Sequence, residues 1–210
     1  MLLCCSGLWA CKSSAPVIHQ TGTVVGDEAV LVMPFQDMAW LHGENTSVRS
    51  PLTGKVFMTG ATSDDAHRLL TELLVSALHQ YTAFHTVPSQ EAPAVQDALQ
   101  SAAGFPQIPL ATLARTGRMM QADLVIQGYL YRFEDRVGKD YAAESPASVA
   151  FDLHLIDCLE QRVVWSGHFD ERQQALLEDL GYIGTFFRRG GRWVTAEEMA
   201  REAMDTMFEG

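Results

Sequence analysis

The sequence predicts an α/β (α+β) domain: a mixed β-sheet of about four to five strands, helices packed on its faces, and a C-terminal helical extension. Three observations lead there. A short continuous apolar run at 29–35 (Ala-Val-Leu-Val-Met-Pro-Phe) precedes an amphipathic stretch at 63–81. A strand-like run recurs at 84–87 and again, after two helical patterns, at 124–134. Two further runs, 149–157 and 163–169, are separated by only a short polar turn and read as a hairpin. Early alternation followed by a hairpin predicts a mixed sheet with helices on its faces.

The elements follow in order. Residues 13–26 are polar and hold Pro16, Gly22 and Gly26, which suits a tether. The 29–35 run is apolar in both phases, as in a strand buried on both faces, and Pro34 ends its hydrogen bonding. Residues 36–62 show no clean period and contain Gly43, Pro51, Gly54 and Gly60, so they read as a long loop with a weak hairpin. Loops of that length in compact domains are usually functional or disordered. Ser63 is placed to cap the next helix, with Asp64 and Asp65 in its first turn. Ala66, Leu69, Leu70, Leu73, Leu74, Ala77, Leu78 and Tyr81 then form one apolar stripe. A strand at 84–87 stops at Pro88, and two helices at 91–103 and 108–121 flank Gly104-Phe105-Pro106. The strand at 124–134 leads to a turn around Gly138, and the hairpin strands join across 158–162. Helices are expected at 171–180 and 195–208, the second opened by a capping box of Thr195 and Glu198.

Composition narrows the function classes. At 210 residues, with 47% hydrophobic and 20% charged residues, the chain suits one globular domain with a short leader. A net charge of −11, spread along the chain, argues against nucleic acid as a partner. No stretch approaches the roughly 18 apolar residues of a membrane-spanning helix. The cysteines are Cys4, Cys5, Cys11 and Cys158, three of them within the first eleven residues. Such a distribution gives no disulfide framework, and Cys158 has no Cys or His at zinc-ligand spacing.

The first eleven residues are apolar, end in small residues and run into Lys12-Ser13-Ser14. Leu8-Trp9-Ala10-Cys11 resembles a lipobox, at which bacteria acylate the cysteine and cleave before it. Acyl chains add about 0.8 kcal/mol per buried CH₂, so a multiply acylated Cys11 holds a soluble domain on a membrane. The apolar run is short for a signal peptide and has no preceding Lys or Arg, as a truncated leader would. The organisation expected is therefore a signal peptide at 1–10, a tether at 11–27, and one domain at 28–210 whose residues 171–210 form the helical extension. Lys12 after the cysteine is compatible with sorting to an outer membrane.

Several segments occur in a distinctive order. Val32-Met33-Pro34-Phe35, the helix around 70–78, and Phe84-His85-Thr86-Val87-Pro88 come first. Ala122-Asp123-Leu124-Val125-Ile126-Gln127-Gly128 follows, then Phe151-Asp152-Leu153-His154-Leu155-Ile156-Asp157 and Val163-Val164-Trp165-Ser166-Gly167. Over 29–169 this resembles the envelope lipoproteins related to CsgG, the curli secretion protein, and LpoB, the activator of a peptidoglycan synthase. Their core is similar to the N-terminal domain of TolB. The resemblance implies an α/β domain used for protein association in the periplasm. Two departures from the pattern stand out. The hairpin turn reads Leu159-Glu160-Gln161 in place of Thr-Gly, and the pair of long alternating hairpins that a CsgG-type pore inserts is missing.

Catalytic signatures are not found: no Gly-x-Ser-x-Gly, no Walker-type loop, no Gly-x-Gly-x-x-Gly after a strand. His154 and His168 lie on paired strands and share a face only in one register. Asp152 and His154 read as the polar side of an alternating strand, and His79 and His85 as partly exposed surface residues. The segment 181–193 groups Arg188, Arg189 and Arg192 with Phe186, Phe187 and Trp193, the composition of binding hot spots. Trp40 in the 36–62 segment is a second candidate contact. The expectation is a palmitate-bearing outer-membrane lipoprotein that binds an envelope protein, with no catalytic residue, metal or cofactor, and with homo-oligomerisation left open. An envelope hydrolase or small-ligand binder with a site near 36–62, and an oligomeric secretion-channel subunit of CsgG type, are the alternatives.

Overall fold

The structure, a computed structural model, describes residues 19–22, 26–87, 89, 95, 108–139, 142–173 and 194–209. The stretch read as a tether supplies the first strand, β1 (His19–Thr21). Strand β2 (Ala29–Val32), strand β3 (Gln36–Asp37) and helix α1 (Met38–His42) come next, then a hairpin of β4 (Ser47–Arg49) and β5 (Val56–Met58). Helix α2 (Ala66–Tyr81), β6 (His85–Val87), helix α3 (Leu110–Met119) and β7 (Leu124–Glu134) follow. A small hairpin of β8 (Val137–Lys139) and β9 (Ala142–Ser145) occupies the expected turn around Gly138. The long strands β10 (Ser148–Asp157) and β11 (Arg162–Arg172) precede helix α4 (Ala196–Phe208).

Among the described residues, seven strands form the main sheet, in the order β1-β11-β10-β7-β2-β6 with β3 beside the middle of β7, at Tyr129 and Leu130. Strands β6, β2 and β7 run parallel, joined by crossovers through α2 and through the segment that contains α3. Strands β7, β10, β11 and β1 run antiparallel. The sheet is mixed, as the pattern predicts. Its two additional strands are short edges, β1 and β3, with too few residues to show a period.

Both faces are covered. Val30 and Val32 of β2 face α2 and α4, while Leu31 and Met33 face the α3 side, so every residue of the apolar run from 30 to 33 is buried. Helix α4 is not an appendage: Met199, Ala200, Ala203, Met204, Met207 and Phe208 pack into the same core as Leu70, Leu74 and Leu78 of α2. Helix α3 approaches β7 closely at Gly117, where a Cβ would stand 2.3 Å from Cys158 Sγ and 2.5 Å from Val125 Cγ2.

Some boundaries move. Helix α2 begins at Ala66, because residues 64 and 65 form a turn and the Asp65 carboxylate is held by Arg68 at 2.7 Å instead of capping. Ser63 contributes its carbonyl, not its hydroxyl, to the Ala66 amide. Glu171 and Arg172 extend β11 where a helix was expected, since their backbone pairs with Val149 and Ser148. Gln173 follows as non-helical chain, and residues 174–180 of that helix, with the 91–103 helix apart from Val95, lie outside the described residues. The α4 capping box is present: Thr195 Oγ1 accepts from the Glu198 amide at 3.1 Å, and Glu198 Oε2 accepts from the Thr195 amide at 3.0 Å. Thr195→Ala is expected to lower stability by about 1 kcal/mol, read as a shift in urea midpoint at constant slope. A change below a few tenths would mean that α4 is held by packing alone.

Candidate functional site

The 36–62 segment holds the functional interest, because it covers polar residues that a solvated strand would leave in water. Along β10, Phe151, Leu153 and Leu155 point into the α2–α4 core, so Asp152 and His154 point to the other side. There they are sealed. Met38 of α1 and Val48 and Phe57 of the β4–β5 hairpin form a separate apolar cluster with Tyr129, Tyr131 and Ala150. The Phe57 ring stacks on Tyr131 with centroids 4.1 Å apart and planes 9° from parallel. Asp152 and His154 are 1% and 0% exposed. They share one side of the alternating strand, as expected, and this lid of short elements covers that side.

The two side chains satisfy one another. His154 Nε2 lies 3.0 Å from Asp152 Oδ2, and its Nδ1 lies 2.9 Å from Ser166 Oγ on β11. Ser50, from the hairpin turn, brings its Oγ to 3.4 Å from His154 Nε2. The Tyr131 hydroxyl donates to both Asp152 oxygens at 3.3 Å. Burial, with the Asp152 charge second, pushes the Tyr129 and Tyr131 phenols well above their ordinary range, so both remain protonated. A β-bulge makes this geometry. Ala150 pairs with Arg132 while Phe151 pairs with Leu130, which leaves Tyr131 unpaired and turns it and Arg132 toward the same side. Arg132, also buried, donates to the Met58 carbonyl at 3.0 Å and to Asp170 at 2.7 Å, and so ties the hairpin to β7 and β11.

Serine and aspartate on opposite nitrogens of a histidine are the parts of a nucleophilic triad. Here Ser166 is 7% exposed and Ser50 is 2% exposed, so both residues are buried in the covered layer. The network acts as a fastener for the hairpin. His154 and His168 do share the covered face, His154 opposite Ser166 and His168 opposite Asp152. Among the described residues, no three His, Cys, Asp or Glu side chains are grouped to hold a metal.

The outer surface of the same segment is different. Trp40 on α1 is 82% exposed, and Val56 and Met58 are each about half exposed. Trp40 is held in place from below. Asp37 Oδ1 accepts from the Trp40 amide at 2.9 Å, and Asp37 Oδ2 accepts from Thr62 Oγ1 at 2.6 Å. Residues 45–62 carry Arg49 and Lys55 and no Asp or Glu, in a chain of net charge −11. Lys55 sits 5.3 Å above the Phe57 ring, and partial burial lowers its pKa against the opposing pull of Asp170 and Asp152. Of the other sequence-derived candidates, Cys11, Phe186, Phe187, Arg188, Arg189, Arg192 and Trp193 lie outside the described residues.

Cys158 is the free thiol of the described chain, buried beneath α3. Burial first, and the Asp157 carboxylate second, push it up to about 11. A thiol raised in the fold adds stability below its ordinary pKa, and that contribution is lost as pH rises through about 11. At pH 8 the Cys158 peptide is expected to stay unalkylated by N-ethylmaleimide in the native chain and to react in urea, as mass spectrometry would read. Rapid native labelling would contradict the burial.

Comparison with known proteins places this geometry. No protein-family model matches the sequence, and no curated protein matches it either. Among solved structures, PelC from Paraburkholderia phytofirmans, determined as a dodecamer, superposes with a TM-score of 0.52 at 13% identity, covering 93% of this chain and 96% of PelC. The chain has a PelC-like fold. Weaker likenesses include the LpoB C-terminal domain from Salmonella enterica (TM-score 0.40, 17% identity, 71% of this chain and 86% of that one). Lipoprotein GNA1162 from Neisseria meningitidis is another (TM-score 0.43, 13% identity, 78% of this chain and 94% of that one).

Proposed function

We propose that this chain is a lipid-anchored envelope protein, acylated at Cys11 on the outer membrane and facing the periplasm. There it acts as a non-catalytic binding or assembly factor for another envelope protein, as the resemblance to the CsgG and LpoB lipoproteins implies. One observation carries the binding reading. The α1–hairpin segment buries Met38, Val48 and Phe57 on its underside, yet leaves Trp40, Val56 and Met58 exposed, with Arg49 opposite Val56 in the hairpin. Exposed apolar side chains on a segment fixed by buried polar contacts are preorganised for association and lose little entropy on binding. Phe186, Phe187, Arg188, Arg189, Arg192 and Trp193 form the second proposed contact, on composition.

Two measurements test this. Radiolabelled palmitate is expected to enter the wild-type chain and not Cys11→Ala; equal labelling removes the anchor. Crosslinking and pull-down from the native envelope should lose its captured protein, by about tenfold, in Trp40→Ser with Met58→Ser, and in Arg188→Ala with Arg189→Ala, at nearly unchanged melting temperature. Unaltered capture by both pairs would move the contact elsewhere.

A second reading is a homo-oligomer, up to a channel-type assembly. It is favoured by the fold shared with PelC, which was solved as a dodecamer. Sedimentation of the purified chain decides between the two: a monomer at micromolar concentration speaks against the oligomer.

A further inference from the structure

The lipid anchor has a short reach, and the fold gives that reach a direction. Strand β1 is seated firmly: His19, Gln20 and Thr21 pair with His168, Gly167 and Ser166 of β11. Gln20 Nε2 donates to the Met207 carbonyl of α4 at 2.9 Å. Gly22, at φ +90°, lies so close to β11 that a Cβ there would stand 2.3 Å from the Val164 carbonyl oxygen. By residue 19 the chain is therefore part of the sheet, and only residues 12–18 separate it from Cys11. Eight Cα-to-Cα steps span at most about 26–29 Å.

The pairing sets where those steps lead. Read back from Thr21 to His19, the chain moves from the level of Ser166 to that of His168, toward the Arg172 end of β11. Arg172, Ser148 and Glu134 share that end, and the β8–β9 hairpin departs from it. From His168 to Arg172 is four residues, or about 13 Å, which leaves roughly half the tether to reach a headgroup layer. The opposite end carries Leu159 and Met119 and lies beyond Arg162, about 20 Å or more in the reverse direction. Turning the chain round and running it back there would consume roughly three quarters of the length or more, against about half in the forward direction.

The geometry points to a fixed attitude on the membrane, with the β8–β9 end of the sheet held against the lipid surface and the Leu159–Met119 end directed away from it. This rests on acylation of Cys11. Val137, 55% exposed on β8, then lies near the headgroups, while Leu159, 83% exposed at the β10–β11 turn, lies about a strand length farther out. The α1–hairpin platform sits on the flank between the ends, open to a partner that approaches along the membrane.

The full-length chain, isolated with its lipid from membranes, tests this in vesicles of phosphatidylethanolamine and phosphatidylglycerol that contain a headgroup nitroxide lipid. A fluorophore on Val137→Cys, in a Cys158→Ser background, is expected to be quenched at least threefold more than one on Leu159→Cys. Equal or reversed quenching in chains that carry acyl mass overturns the orientation and leaves the anchor standing. Chains without acyl mass that fail to float with the vesicles overturn both. A fourteen-residue Gly/Ser insertion between Ser14 and Ala15 triples the free tether and is expected to level the two signals. A difference that survives the insertion at full size would show that the tether does not set the attitude.

Discussion

Replacing His154 with leucine is expected to lower the stability of the domain by about 3–5 kcal/mol, the usual loss when one member of a buried, mutually bonded ionisable pair is removed. The pair is 0–1% exposed, and its members are 3.0 Å apart. Leucine fills much of the volume but returns no hydrogen bond. Asp152 keeps Tyr131 as a donor, while the Ser166 and Ser50 hydroxyls lose the ring they face. At about 2–4 °C per kcal/mol for a chain of this size, the melting temperature should fall by roughly 6–20 °C. The double variant His154→Leu with Asp152→Leu removes both polar groups and is expected to recover part of the loss. A single variant within about 1 kcal/mol of wild type would mean that the α1–hairpin segment is held by Phe57, Val48 and Met38 alone.

That network also shows where the sequence is legible and where it is not. Helix α2, strands β7, β10 and β11, and helix α4 stand close to where their patterns place them, because each sustains an apolar or periodic pattern over ten or more residues. Strand β1 has three residues and β3 has two, so neither could announce itself. The burial of Asp152 and His154 is a different case. Local alternation with Phe151, Leu153 and Leu155 is the same whether the second face is wet or covered. What covers it, Phe57 and Val48, lies about a hundred residues earlier in a stretch without regular period. A signal was nonetheless present in β7, whose Leu-Val-Ile-Gln-Gly-Tyr-Leu-Tyr-Arg-Phe is apolar in both phases, the mark of a strand covered on both sides. Reading Tyr129 and Tyr131 that way requires a second layer over β10 too, and 36–62 is the segment free to provide it. The exposure of Trp40 follows from a five-residue helix, where Met38 and Ala39 take the inner face and leave the tryptophan outside.

The core on the other face sets the second large effect. Trp165→Ala is expected to cost about 3–5 kcal/mol, because the ring is 1% exposed and spans the joint between β11 and α4. Trp165 lies 5.4 Å from Phe208 between ring centroids, and it also lies over Gly167, two residues along the same face. A Cβ on Gly167 would stand 2.7 Å from Trp165 Cη2, 2.9 Å from Cζ2 and 3.1 Å from Met207 Sδ. The glycine is therefore a seat for the indole. Gly167→Ala alone should destabilise by about 1–3 kcal/mol through overpacking. In the Trp165→Ala background the obstructing ring is gone, so the same alanine should be nearly neutral, and the two substitutions should fail to add by 1 kcal/mol or more, roughly. Urea unfolding of the four chains measures that coupling. Additive losses would place the indole elsewhere and leave α4 without this contact. Strong coupling would establish that the Trp165-Ser166-Gly167 stretch serves both layers at once, the tryptophan and glycine fastening α4 on one side while Ser166 holds His154 on the other.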